Sequence, residues 1–251
     1  MSELSCHGLR KSFGALVVTD DLALSVRSGE VHALIGPNGA GKTTALAQLS
    51  GELRPDSGSV RRDGTDITHL SLPQRVRVGV ARSYQISSIF ADFTVAENVE
   101  LALQAVGGHS FRFFRPARSN AARLKRAREL LAVVGLTDAG EASAQRLSHG
   151  QTRQLEIAMA LASEPEVLLL DEPMAGMAPD EAHRLAELVR SLASDTAVLL
   201  VEHDMDIVFS AADRISVLCE GSLIASGSPD QIRSDPEVRR LYLREDAEAE
   251  N

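Results

Sequence analysis

Two patterns of apolar and polar positions divide the chain. Short, almost wholly apolar runs at residues 167–170 and 198–202 read as strands buried on both faces of a parallel sheet, since a half-exposed strand would alternate, and residues 31–35 read as a strand. Residues 22–26 read as a further strand. Residues 60–63 and 67–68 read as a hairpin around Gly64, because β-branched clusters are bounded there by Gly and Asp. Helices are expected after a glycine-rich loop (43–53), after a Ser-His-Gly-Gln element (151–163) and after an acidic loop (180–193). Buried strands alternating with helices predict an α/β core.

Between residues 90 and 145 the pattern changes. "TVAENVELALQAV" and "NAARLKRARELLAVVGL" carry apolar residues at i, i+3, i+4 spacing without β-branched runs, which predicts a helical insertion. The segment "GGHSFRFFRP" between them is aromatic and basic, and is read as a loop folded onto the lobe in preference to a contact surface. The expected organisation is a single domain, with residues 1–89 and 146–251 forming the α/β core and residues 90–145 a helical subdomain. Asp235 before Pro236 is a good helix start, and residues 246–251 form a short acidic end that should fray.

Composition narrows the setting. The 251 residues are 44% hydrophobic with a formal net charge of -9, which argues against a nucleic-acid groove, so no nucleic-acid partner is expected. Cys6 and Cys219 are isolated, without a C-x-x-C or a histidine at metal-ligand spacing, and read as reduced thiols of a cytosolic protein. No apolar run approaches the ~20 residues that cross a bilayer, and "MSELSCHGLRKSFG" has no apolar signal core. A membrane, if one is involved, is expected to be reached through another protein.

The chemistry concentrates in a few motifs. "GPNGAGKTT", residues 36–44, matches G-x-x-x-x-G-K-[ST] between an apolar strand and a helix, the context in which its backbone N–H groups cradle phosphate. Asn38, Gly39, Ala40, Gly41, Lys42, Thr43 and Thr44 form the expected nucleotide-binding loop, with Lys42 on the β- and γ-phosphates and the Thr43 hydroxyl on Mg²⁺. In "EVLLLDEP" a buried strand ends in two acids. Asp171 would hold Mg²⁺ and Glu172 would orient or deprotonate the attacking water. His203, in "LLVEHDMD", ends another buried strand and can hydrogen-bond the γ-phosphate. Gln85, in "ARSYQISSIF", has an amide able to bridge Mg²⁺ and that water. "RLSHGQTRQLEIAMA" places a serine N-cap, a glycine and a glutamine at the positive end of a helix, which suits an anion.

In this order and spacing, the phosphate loop, Gln85, "LSHGQ", "LLLDEP" and His203 resemble ABC-transporter ATP-binding subunits over nearly the whole chain. The resemblance implies a P-loop NTPase core with an N-terminal antiparallel β subdomain and an inserted α-helical subdomain. It implies ATP and Mg²⁺ as ligands, with Thr43, Gln85 and Asp171 around the metal. It also answers whose phosphate the serine-capped helix meets: Ser148, Gly150 and Gln151 would cap the γ-phosphate of ATP held by a second cassette, identical or similar to this one. His149 stands where glycine is commonest and is read as a tolerated side chain rather than a catalytic or metal-binding one. Phe13 resembles the aromatic that stacks on adenine, with Val18 packing on the base. Ala178 stands where many relatives have an aspartate reaching across the dimer, and the nearby Asp180 reads as a helix cap.

Among family members, "ARSYQISSIFADFTVAENV", the helical insertion, "GQTRQLEIAMALA", "DEPMAGM" and "GSPDQIRSDPEVRRLYL" resemble the cassettes of branched-chain (hydrophobic) amino-acid importers. The urea and short-amide importers share "LSHGQ" and "AGM", and lipopolysaccharide-export ATPases are a more distant alternative. The implied partners are transmembrane permease subunits and, indirectly, a periplasmic solute-binding protein, with the chain peripheral on the inner face of the plasma membrane. The surface after Gln85, including Ile86, Phe90 and Phe93, is the expected permease groove. Soluble translation or repair ATPases carry a second cassette or a long coiled coil that this chain lacks. A regulatory nucleotide-binding module without turnover is disfavoured by the presence of both Glu172 and His203.

Overall fold

The structure, a computed structural model, describes residues 2–83, 89–106 and 118–241. Gln85 and Ile86, the segment 107–116 and the acidic end 246–251 lie outside the described residues. The chain begins with β1 (Glu3–Phe13), β2 (Leu16–Arg27), β3 (Val31–Ile35), α1 (Lys42–Ser50), β4 (Ser57–Arg62), β5 (Thr65–Asp66), α2 (Leu72–Arg77) and β6 (Val80–Arg82). Two helices follow, α3 (Val95–Val106) and α4 (Arg118–Val133), and then α5 (His149–Leu161). The remainder comprises β7 (Val167–Asp171), α6 (Pro179–Leu192), β8 (Ala197–Val201), α7 (Met205–Ala211), β9 (Arg214–Cys219), β10 (Ser222–Gly227) and α8 (Pro229–Ser234).

Among the described residues two sheets form: a four-stranded antiparallel sheet ordered β2-β1-β4-β5, and a six-stranded sheet ordered β10-β9-β3-β8-β7-β6. The larger sheet is parallel except at the β9–β10 hairpin on its edge. Every residue of β3, β7 and β8 is buried, as expected of strands covered on both faces. The side chains of β7 and β8 alternate between two cores, while Ala33 and Ile35 of β3 pack in a third with Val208, Ile215 and Val217. Leu168, Leu170, Val198 and Leu200 pack with α5, α6 and the inserted helices, whereas Val167, Leu169, Leu199 and Val201 pack towards α1 and the antiparallel sheet. Val95 and Val99 of α3 and Leu130 and Leu131 of α4 share the first of these cores with Leu155 of α5, so the inserted helices rest on the α/β core.

Several elements differ from the sequence expectation. β1 is not marked by patterning, because Gly8 (φ 62) interrupts it and its register against β2 shifts between Cys6 and Leu9. In the hairpin around Gly64 the return strand is Thr65–Asp66, not 67–68. Asp63 and Gly64 both have positive φ, a tight turn that pairs Arg62 with Thr65. Thr68 instead turns inward, and its hydroxyl accepts the Val60 N–H at 2.9 Å. α1 ends at Ser50 because Gly51 (φ 81) caps it, and the Arg75 guanidinium donates to the Gln48 and Leu49 carbonyls at 2.7 and 2.6 Å. Asp180 is not the cap of α6: Ala178 occupies that position, Pro179 follows, and Asp180 sits inside the first turn. Asp235 does start a helix, since its carboxylate accepts the Glu237 and Val238 N–H groups.

Candidate active site

Parallel pairing places Leu34 beside Val201 and Val201 beside Asp171, so β3, β8 and β7 end in one row. All that follows these ends gathers on the carboxyl edge of the sheet, where open α/β sheets bind ligands.

After β3 the loop 36–41 leads into α1. Gly36 (φ 152) and Gly41 (φ 104) are dictated by close approach: a Cβ would lie 2.0 Å from the Leu218 carbonyl oxygen at Gly36, and 2.4 Å from that of Val18 at Gly41. A Cβ on Gly39 would meet nothing within 4 Å. α1 starts on Gly41 with no side-chain cap and no acid in its first turn, which leaves the positive end of the helix to an external anion. The Lys42 ammonium donates to the Gly36 and Pro37 carbonyls at 2.5 and 3.0 Å, lying along the loop's own backbone. Asn38 and Thr43 are exposed and Thr44 half-buried beside it, while Ala40 is buried, with its carbonyl accepting the Gly221 N–H at 3.0 Å.

Asp171 closes β7 with its carboxylate buried. One oxygen is held by Arg82, and Oδ1 is buried with no hydrogen-bond partner among the described residues. An orphaned carboxylate oxygen is costly unless a ligand completes it, and a hydrated divalent cation is an oxygen-seeking ligand that fits. Glu172, the next residue, takes a left-handed backbone (φ 45), an uncommon conformation for a residue with a Cβ. Its Oε2 lies 3.8 Å from His203 Nδ1 at the end of β8. Glu202, next to His203, is buried and bonds two backbone groups: Oε1 accepts the Met174 N–H at 2.8 Å and Oε2 that of His203 at 3.3 Å. Burial raises its pKa above the usual carboxylate value.

Arg82 has no part in the sequence reading. Its guanidinium spans Glu52 at 2.7 Å and Asp171 at 2.8 Å and is almost wholly buried. The available signal was a charged residue inside an otherwise apolar strand three positions before Gln85.

Phe13 lies at the tip of the β1–β2 hairpin, paired with Leu16, and is half-exposed with Lys11 Nζ 5.7 Å from its ring centre. Pairing and alternation put Phe13, Leu16 and Val18 on one face, and a Val18 methyl would lie 3.6 Å from a Cβ on Gly41. The hairpin therefore offers an apolar ledge beside the phosphate loop, to which Leu16, two-thirds exposed, is an addition.

The serine-capped helix start lies elsewhere on the chain. Ser148 Oγ accepts the Gln151 N–H at 3.2 Å and Gln151 Oε1 accepts the Ser148 N–H at 3.0 Å, a reciprocal capping box. Gly150 is buried against Glu181, whose carboxyl would lie 3.4 Å from a Cβ there. Ser148, Gly150 and Gln151 line a cleft of about 300 Å³ together with Met177, Glu181 and Arg184, and none of the phosphate-loop residues lines it. The structure thus brings Lys42, Asp171, Glu172 and His203 to one sheet edge, whereas the Ser148 helix start lines a separate cleft.

A sheet that delivers a phosphate loop and an adjacent pair of acids, the first of them buried, to one edge is the construction of P-loop nucleotide hydrolases. Residues 19–175 match the ABC transporter family, and residues 222–243 match the family described as branched-chain amino acid ATP-binding cassette transporter. The high-affinity branched-chain amino acid transport ATP-binding protein LivG of Salmonella typhimurium is 38% identical over 96% of this chain and 98% of its own. The corresponding protein BraF of Pseudomonas aeruginosa is 39% identical over the same shares. A crystal structure of the ADP conformation of an ABC-transporter cassette, 28% identical, superposes with a TM-score of 0.85 over 97% of this chain and 99% of that one. The chain belongs to the ATP-binding subunits of ABC transporters, and its activity is ATP hydrolysis. Among the described residues no helix is long and apolar enough to cross a membrane.

Proposed function

We propose that the chain energises the import of branched-chain or other hydrophobic amino acids, working with a second cassette and a transmembrane permease on the inner face of the plasma membrane. The near-complete alignment with LivG and BraF and the match at residues 222–243 support this cargo class over urea, short amides or lipopolysaccharide. A periplasmic solute-binding protein would deliver the cargo.

In this reading Phe13 and Val18 receive the adenine, and Asn38, Gly39, Ala40, Gly41, Lys42, Thr43 and Thr44 hold the phosphates. Thr43 and Asp171, joined by Gln85, would hold Mg²⁺, which when bound neutralises charge on the phosphate oxygens. Glu172 orients the attacking water and accepts its proton, and His203 bonds the γ-phosphate. Ser148, Gly150 and Gln151 of the second cassette close each site. The observation that carries the hydrolytic assignment is the 3.8 Å approach of His203 to Glu172 at the edge shared with the phosphate loop. Such an arrangement works by positioning and charge more than by covalent chemistry.

Glu172→Gln tests it. The amide keeps the shape and loses the base, so ATP binding and an ATP-held dimer should persist while turnover falls by about 10²–10⁴-fold. Turnover at the native rate would overturn the assignment.

A further inference from the structure

His149 fills a place in the serine-capped turn where its side chain had no expected task. In the structure it has a partner: Nε2 lies 2.9 Å from the carbonyl oxygen of Ala175, in the loop that follows Asp171 and Glu172. A carbonyl can only accept, so Nε2 is the donor. Gly176, the next residue, has φ 75 and would place a Cβ 3.6 Å from the same ring nitrogen, so the imidazole rests on bare backbone. The neighbouring Gly150 packs against Glu181 in the first turn of α6. The start of α5 is therefore docked on the segment 175–181 at two adjacent points.

The other side of that loop is tied to the hydrolytic edge. The Ala175 N–H donates to the Glu172 carbonyl at 3.2 Å, and the Met174 N–H donates to the buried Glu202, whose second oxygen accepts the His203 N–H. One short loop thus hangs between Glu202, adjacent to His203, and His149, adjacent to Gly150.

We propose that His149 is a positioning residue: its bond to Ala175 fixes the serine-capped helix start relative to the loop after Glu172, so that the geometry of a chain's own ATP site sets how well that chain caps the nucleotide of its partner. The proposal rests on the composite-site reading above. It assigns His149 no contact with the reacting atoms.

The test uses the Glu172→Gln protein with Mg²⁺ and ATP, following dimer formation by light scattering. Adding His149→Ala should raise the ATP concentration for half-dimerisation about three- to tenfold, the effect of losing one hydrogen bond of ordinary strength. Binding of a fluorescent ADP analogue to the monomer should stay unchanged, while the thermal midpoint falls by only about 2–4 °C, the cost of one bond within the chain. His149→Gln, whose amide nitrogen reaches the same carbonyl, should restore dimerisation. In the otherwise native chain, His149→Ala should also lower the Hill coefficient for ATP hydrolysis. If Glu172→Gln pairs normally and the added His149→Ala pairs equally well, the positioning role is wrong and the composite site stands. If Glu172→Gln never pairs, alone or with its permease, the composite site fails and this inference falls with it.

Discussion

Arg82 and Asp171 form a buried ion pair, Nη2 to Oδ2 at 2.8 Å, with both side chains almost completely removed from water. Removing one member of such a pair leaves the other charge without compensation, which costs about 3–5 kcal/mol. Arg82→Met should therefore lower unfolding stability by roughly that amount. It should also free the Asp171 carboxylate to turn, weakening the Mg²⁺ dependence of nucleotide binding. Arg82→Lys, which keeps the charge without the two-pronged reach to Glu52, should recover part of both. Urea unfolding with nucleotide titrations, with and without Mg²⁺, checks this; Arg82→Met with native stability would show that the pair contributes nothing.

Lys42 lies along the phosphate loop with its ammonium on the Gly36 and Pro37 carbonyls, beside an uncapped helix start that would receive an anion. Lys42→Ala removes that charge and leaves the loop glycines in place. Charge-assisted hydrogen bonds contribute about 1.5–3 kcal/mol, so ATP affinity should fall roughly 10- to 100-fold. Adenosine, which has no phosphate, should bind equally to both proteins. An equal loss for adenosine and ATP in calorimetric titrations would mean that the loop had collapsed.

How far the sequence revealed this arrangement depends on how local each determinant was. The phosphate loop, the Asp171–Glu172 pair and the buried strands are written in contiguous residues, and the backbone that carries them follows from glycine placement and apolar runs. The exchange of Arg82 with Asp171 spans 89 positions, and the contact of His149 with Ala175 spans 26, so no spacing rule exposes either. β1 is hidden from patterning because its alternation breaks at Gly8, and the return strand of the Gly64 hairpin lies two residues before the expected 67–68 because Ile67 and Thr68 are buried without being strand. The family resemblance supplied the pairing of cassettes, which patterning alone does not contain.

Phe90 is about half exposed and stacks on Phe93 with ring centres 5.7 Å apart. The buried Asn98 grips its backbone from both sides, accepting the Phe90 N–H at 2.7 Å and donating to its carbonyl at 3.0 Å. If the proposed docking on a permease is right, this aromatic pair, held outward by a buried amide, is an apolar anchor on the docking surface. Phe90→Asp should leave the ATPase of the isolated chain within about twofold, since it touches none of the phosphate-binding groups. It should reduce solute uptake by about tenfold or more, the usual consequence of burying a charge in an interface. Uptake in reconstituted vesicles at the native rate would remove Phe90 from the docking surface.

His32 lies on β3, wholly buried, with Nδ1–H donating to the Ser25 carbonyl at 2.7 Å and Nε2 accepting the Ser216 hydroxyl at 2.8 Å. Burial, reinforced by the Arg214 guanidinium, lowers its pKa from 6.5 to about 4. The sign follows from proton uptake. Below pH 6.5 the unfolded chain gains a proton that the folded chain refuses until about pH 4, so stability falls as pH drops through that window and is untouched above it. The full gap corresponds to roughly 3 kcal/mol, of which roughly 2 kcal/mol is lost between pH 7 and pH 5. In His32→Gln this component of the slope should vanish, although the variant starts from lower stability at pH 7. Subtracting its urea midpoints from those of the native chain at each pH isolates the effect from the other histidines; parallel curves would show that His32 takes up its proton in the folded state.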